Sequence, residues 1–155
     1  MKFVNGAFLI LALALVGFGY ASRTFNTDDT RKELEAVYAK IDKAIVESDM
    51  ETLESLLADD YEKTDGDKII KRPEAVAEMK KSLESVKEVK SCKTTIDKIQ
   101  QVEGNQIVDY TQVAKIVVVG SDGKDKIMDF TNHGRDWWVK GEDGEWSCVA
   151  AERIK

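Results

Sequence analysis

The sequence holds a single histidine, His133. A lone imidazole is the natural general base or acid at physiological pH. Two aspartates are candidates to work with it, Asp65 in the turn Asp65-Gly66-Asp67 and Asp129 on the same predicted strand. Such a pair suits proton transfer of the lyase or isomerase kind, with Arg135 orienting an anionic group. Each residue also has a structural reading: a strand histidine packs, and a turn aspartate satisfies local backbone N–H groups. No complete catalytic constellation emerges from these residues.

Other chemistries are excluded by composition. One His and two Cys are too few for zinc, haem or iron–sulfur ligation. No phosphate-binding glycine loop or nucleophile elbow occurs, and the Asp-Gly turns lack EF-hand spacing. Neither metal nor cofactor is expected. A formal net charge of -6 disfavours nucleic acid and anionic membrane as partners.

The elements that must position these residues follow from periodicity. Residues 22–29 read as a polar lead-in. Thr30 is placed to cap a helix, with Glu33 completing a capping box, and Leu34, Val37, Tyr38, Ile41, Ala44 and Ile45 recur at helical spacing. Asp49 caps a short second helix. Tyr61–Thr64 and Lys68–Lys71 flank Asp65-Gly66-Asp67 as a small hairpin, and Pro73 opens a third helix. Beyond Lys90, β-branched residues and the turns Gly104-Asn105, Asp122-Gly123 and Asp143-Gly144 predict strands over 92–102, 106–119, 125–140 and 145–154. Three helices on one face of a curved six-strand sheet, an α+β domain over 30–155, is the economical packing.

Ahead of the domain, Lys2, the apolar run 7–18, and the small residues Gly19 and Ala21 have the layout of a signal peptide over 1–21, cut before Ser22. Export to the periplasm or exterior is expected, with no stable membrane association afterwards. The alternative is a single N-terminal membrane anchor, since 3–21 carries no charge.

Strand register then assigns faces. With Asp122-Gly123 as a two-residue loop, Tyr110 lies opposite Arg135, Gln112 opposite His133 and Val108 opposite Trp137. Around Asp143-Gly144, Arg135 faces Glu152 and Trp137 faces Ala150. Cross-strand partners share a face, so Tyr110, Gln112, His133, Arg135, Trp137 and Glu152 are expected on the helix-covered side. Lys115, Asp109, Asp136, Lys126 and Arg153 fall on the other. With Tyr38 aimed inward from the first helix, this face is the expected ligand-binding surface. The structural alternative is an Arg135–Glu152 ion pair bridged to the Tyr110 hydroxyl. Taking Gly104-Asn105 as a turn pairs Cys92 near Val117, on the opposite face from Cys148. Both thiols are therefore expected to be free despite the oxidising compartment.

The order of elements, with Ser48-Asp49 before the second helix, Ala58-Asp59-Asp60-Tyr61 entering the hairpin and Asp143-Gly144-Glu145-Trp146 entering the last strand, resembles the nuclear transport factor 2-like (SnoaL/ketosteroid isomerase-like) superfamily. Thr64-Asp65-Gly66-Asp67 and Trp138-Val139-Lys140 look closest to its small DUF4440-type domains. The resemblance implies a cone-shaped, cystatin-like fold with a pocket between helices and sheet. It also implies that Asp65, sixteen residues after Asp49, stands where the isomerases carry their proton-shuttling aspartate. Their catalytic tyrosine is replaced here by Ile41, which removes the oxyanion donor and with it steroid-isomerase chemistry.

The leading expectation is a domain that binds a small-molecule ligand or a protein partner in or beside the cone without performing chemistry. The alternatives are an enzyme using His133 with Asp65 or Asp129, and a homodimer formed through the uncovered sheet face by Val113, Val117, Met128, Phe130 and Trp138.

Overall fold

The structure, a computed structural model, describes residues 27–154. The expected signal over 1–21 and the cut before Ser22 lie outside the described residues. Helix α1 (Thr27–Glu47) begins earlier than its expected cap. Asp28 and Asp29 in its first turn complement the positive helix end, which extends the helix into the supposed lead-in. Thr30 is buried within the helix, and the Glu33 carboxylate instead accepts from Lys140 Nζ (2.6 Å) and Trp146 Nε1 (3.0 Å). Lys140 is the main cause of the lowered Glu33 pKa.

Helix α2 (Met50–Ser55) is capped by Asp49, as expected: its side chain accepts from the Thr52 backbone N–H (3.1 Å) and hydroxyl (2.7 Å). Strands β1 (Leu57–Asp65) and β2 (Lys68–Lys71) form a hairpin over Gly66-Asp67, where Gly66 has φ +61°. Helix α3 (Arg72–Glu84) starts on Pro73, whose missing N–H costs nothing in the first turn. Four long strands follow: β3 (Glu88–Val102), β4 (Asn105–Val119), β5 (Asp125–Lys140) and β6 (Trp146–Arg153).

The sheet order is β2-β1-β6-β5-β4-β3, antiparallel except for the parallel β1–β6 pair. Three helices on a six-strand mixed sheet is the α+β architecture expected from the sequence. The core lies between them, centred on Leu34, Tyr38, Ile70, Val108 and Trp138. No helix among the described residues is long and apolar enough to cross a membrane.

The register corrects the face assignment. Gly120 N–H donates to Lys124 C=O (2.8 Å) and Gly123 N–H to Gly120 C=O (2.9 Å). The β4–β5 loop therefore holds three residues, Ser121-Asp122-Gly123, with Gly123 at φ +74°. One extra loop residue slides the pairing by one, so Tyr110 faces Gly134 and Asp109 faces Arg135. A one-residue slip moves every affected side chain to the other face. The helix-covered side carries Tyr110, Gln112, Asp136 and Trp138, whereas His133, Arg135, Trp137 and Glu152 occupy the outer side. The β5–β6 loop has the same extra residue, since Lys140 pairs with Trp146. A β-bulge between Trp137 and Trp138 compensates for it, which is why Arg135 faces Glu152 and Trp137 faces Ala150 as expected.

The β3–β4 turn is Glu103-Gly104, both at positive φ, rather than Gly104-Asn105. With the turn displaced by one residue and a bulge between Ile96 and Lys98, Cys92 pairs with Ala114 instead of near Val117. Both cysteines are free, yet they lie on the same, helix-covered side. The Cys92 thiol lies 3.4 Å from the Asp42 carboxylate on α1, and burial pushes its pKa up to about 12.

The proposed dimer face is also divided. Val117 and Trp138 are buried, whereas Val113, Met128 and Phe130 are exposed, Phe130 at the edge of the cavity described below.

Candidate functional site

Between the three helices and the concave side of the sheet lies a cavity of about 530 Å³. Its walls are mostly apolar: Ile41 from α1, Leu53 and Leu56 from α2, Leu57 and Tyr61 from β1, Met79 from α3 and Ala151 from β6. A volume of this order suits a small molecule. Lys63, Asp65 and Arg153 contribute charged groups around it, and Glu152 lines its edge while its carboxylate turns to Arg135 on the outer side. Lys63 is held by Glu78 at 3.0 Å and Glu152 by Arg135 at 3.2 Å.

A carboxyl that the sequence reading placed outside now lines this cavity. Asp136, 7% exposed, sits on β5 between Arg135 and Trp137, and the actual register turns it inward. The Tyr38 hydroxyl donates to Asp136 Oδ2 (2.8 Å), and Trp138 Nε1 donates to the Tyr38 oxygen (3.1 Å). The Trp138 ring meets Tyr38 edge-on at 5.8 Å, and Tyr110 lies 5.3 Å from Tyr38.

Burial raises the Asp136 pKa from 3.8 to about 7, and the Tyr38 hydrogen bond lowers it only in part. Burial followed by the Asp136 charge raises the tyrosine pKa values of Tyr38 and Tyr110, so both remain protonated donors. Burial dominates likewise at Tyr61, and it pushes the Cys148 thiol well up.

The site residues expected from the sequence separate into two groups. Tyr38 and Tyr110 belong to the Asp136 cluster, and Asp65 lines the cavity. Gln112 is on the covered side but donates to Thr94 Oγ1 (3.1 Å), part of the Asp42–Thr94 tie between α1 and β3. The remaining residues lie elsewhere. His133 is exposed on the outer face, with Nδ1 3.0 Å from the Thr111 hydroxyl. The Asp129 side chain, 76% exposed, pairs with Lys115 at 3.8 Å. Arg135 is clamped by Asp109 (2.6 and 3.1 Å) and Glu152 (3.2 Å), which lowers the Asp109 pKa. Tyr110, expected to bridge that ion pair, is on the opposite side of the sheet. Trp137 is half-buried outside the cavity. His133 therefore shares no point in the cavity with Asp65. Among the described residues no group of three or more His, Cys, Asp or Glu side chains is arranged to hold a metal.

Asp136 was missed for one reason, the unrecognised third loop residue. The Asp-Gly pair closes a two-residue hairpin or ends a three-residue one equally well.

Gly134 has a direct part in the site. A Cβ at this position would overlap the Tyr110 ring and hydroxyl, so the glycine makes room for that ring across β5. Gly134→Ala is expected to push Tyr110 off its position and cost about 1–3 kcal/mol through overpacking. Denaturant unfolding with unchanged slope but a lower midpoint would register it.

No protein-family model and no curated protein sequence matches the chain. Solved structures do. A conserved protein from Planctomyces limnophilus superposes with TM-score 0.66 at 18% identity, over 82% of this chain and 99% of that one. A nuclear transport factor 2-like protein from Cytophaga hutchinsonii gives 0.60 at 19% identity, over 84% and 98%. A nuclear transport factor 2-like superfamily protein from Salmonella enterica gives 0.62 at 11% identity, over 83% and 92%. At these identities the likeness concerns the backbone. With its helices closed over a curved mixed sheet around an apolar cavity, the chain has the nuclear transport factor 2-like fold.

Proposed function

We propose that the chain is an exported domain that binds a small, largely apolar molecule in its cone, with Asp136 as the polar anchor. The observation that carries this reading is a buried carboxyl lining a mostly apolar cavity of about 530 Å³. An apolar wall supplies affinity through area removed from water, and a few convergent polar groups fix orientation. Export rests on the sequence alone, on Lys2, the apolar run 7–18 and the small residues Gly19 and Ala21.

The neutral dye Nile red is a suitable probe. Its emission should rise on binding the wild-type protein. Ala151→Trp, which fills the cavity from β6, should weaken binding at least tenfold while far-ultraviolet circular dichroism stays unchanged. Equal binding by the folded variant, or no binding by the wild type, would refute a ligand-binding cone.

One observation favours a second reading, proton-transfer chemistry of the lyase or isomerase kind. A carboxyl with a pKa of about 7 in a cavity is matched to general acid–base work at neutral pH. In that reading Asp136 takes the part that the sequence suggested for His133, with the Tyr110 hydroxyl beside it. Deuterium incorporation from solvent into a bound carbon acid, lost in Asp136→Asn, is its signature.

A further inference from the structure

The floor of the cavity combines three features that together specify a charge type. The first is the carboxyl of Asp136. Tyr38 occupies its Oδ2, and Oδ1 has no hydrogen-bond partner among the described residues. The second is the lack of a counter-charge, since no Lys, Arg or His among the described residues forms an ion pair with it. The described cations near the cavity are engaged elsewhere or stand at its charged edge: Lys63 with Glu78, Arg135 with Asp109 and Glu152, and Arg153 exposed. The third is an aromatic surround. Tyr61, Tyr110 and Trp138 line the same cavity, with Tyr38 packed behind.

A buried carboxylate without a cation is costly, and a neutral hydrogen-bond donor relieves only part of that cost. A cation brought in by the ligand offsets more of it, because it pairs the charge as well as the hydrogen bond. Aromatic faces add attraction for the same charge. A guanidinium gains most from two parallel bonds to one carboxylate, but Tyr38 already holds one oxygen here. A compact ammonium needs only the free one.

We propose that the cavity selects a monocationic amine with an apolar body, its ammonium on Asp136 Oδ1 among Tyr61, Tyr110 and Trp138. This rests on the ligand-binding reading above and names the ligand class for that site. The apolar body lies against Leu53, Leu56 and Leu57. A ligand carboxylate in the same position would face Asp136 directly and is rejected.

Calorimetric titration at pH 8 tests the selection with 3-phenylpropylamine, 3-phenylpropanol and 3-phenylpropanoate, the same body carrying a positive, neutral or negative head. The amine should bind at least tenfold more tightly than the alcohol, and the carboxylate more weakly than both. In Asp136→Asn, and in Asp136→Ser as a second variant, amine affinity should fall at least tenfold while the alcohol stays within threefold. Equal affinity for amine and alcohol, or an unchanged amine affinity in both folded variants, would overturn the amine assignment. If the alcohol binds and Ala151→Trp abolishes that binding, the ligand-binding cone stands without it. If no compound binds, both fall.

Discussion

Asp136→Asn is expected to make the protein more stable at pH 8, by about 2–4 kcal/mol, a rise of roughly 5–10 °C in melting temperature for a domain of this size. In the folded state the carboxyl titrates at about 7 against an ordinary 3.8, because burial disfavours the charged form. The folded protein therefore holds a proton there that the unfolded chain has released. The stabilisation is complete below about pH 4, declines as pH rises through 7, and is absent above. The full difference is worth about 4 kcal/mol. Asparagine keeps the shape and the acceptor for Tyr38 but carries no charge, so its advantage should grow from pH 4 to 7 and then level off. Glu33, Asp49, Glu78 and Asp109 work in the opposite sense. Their lowered pKa values contribute stability above the ordinary carboxylate range and lose it as pH falls. Urea unfolding of both proteins from pH 4 to 9 isolates the Asp136 contribution as a difference. A flat difference, or a less stable variant at pH 8, would contradict the buried-charge account.

Tyr38→Phe should have the second largest effect, a loss of about 2–3 kcal/mol. The hydroxyl serves two buried partners at once, accepting from Trp138 Nε1 and donating to Asp136 Oδ2. Trp138 is 1% exposed, so its indole N–H has no water to turn to. Each buried polar group left without a partner costs about 1–3 kcal/mol. The loss should be larger at pH 8 than at pH 5, because the Tyr38 donor favours the ionised carboxyl and lowers its pKa. In an Asp136→Asn background that pH dependence should vanish while the Trp138 contribution remains. Double-mutant unfolding at the two pH values separates the parts.

The elements of this protein were legible in local chemistry. The Asp49 cap, Pro73 at the head of α3 and the hairpin after Asp65 depend on interactions within a few residues. So did the number of strands, because turn residues punctuate them. Helix α1 starts at Thr27, ahead of the Thr30 cap expected from the sequence, and the charges of Asp28 and Asp29 complement the dipole of its first turn. The resemblance that the order of elements suggested is also the fold that the solved structures display.

The site was decided elsewhere. Whether the β4–β5 loop holds two residues or three is settled by Gly120 bonding back to Lys124, and Asp122-Gly123 fits both. That single residue exchanged Arg135 for Asp136 on the inner face. The Arg135–Glu152 pair survived because a bulge at Trp137 absorbed a second odd loop. The free state of Cys92 and Cys148 was expected from a face assignment that the displaced β3–β4 turn and the β3 bulge overturned, although distance along the sheet still separates them. Periodicity carries the alternation of a strand but not its phase. The phase is set by backbone hydrogen bonds at loops and bulges, and by which side chains the helices can bury. Sequence therefore determined that one face of this sheet would carry a polar group into an apolar cone, and only tertiary packing decided that the group is Asp136.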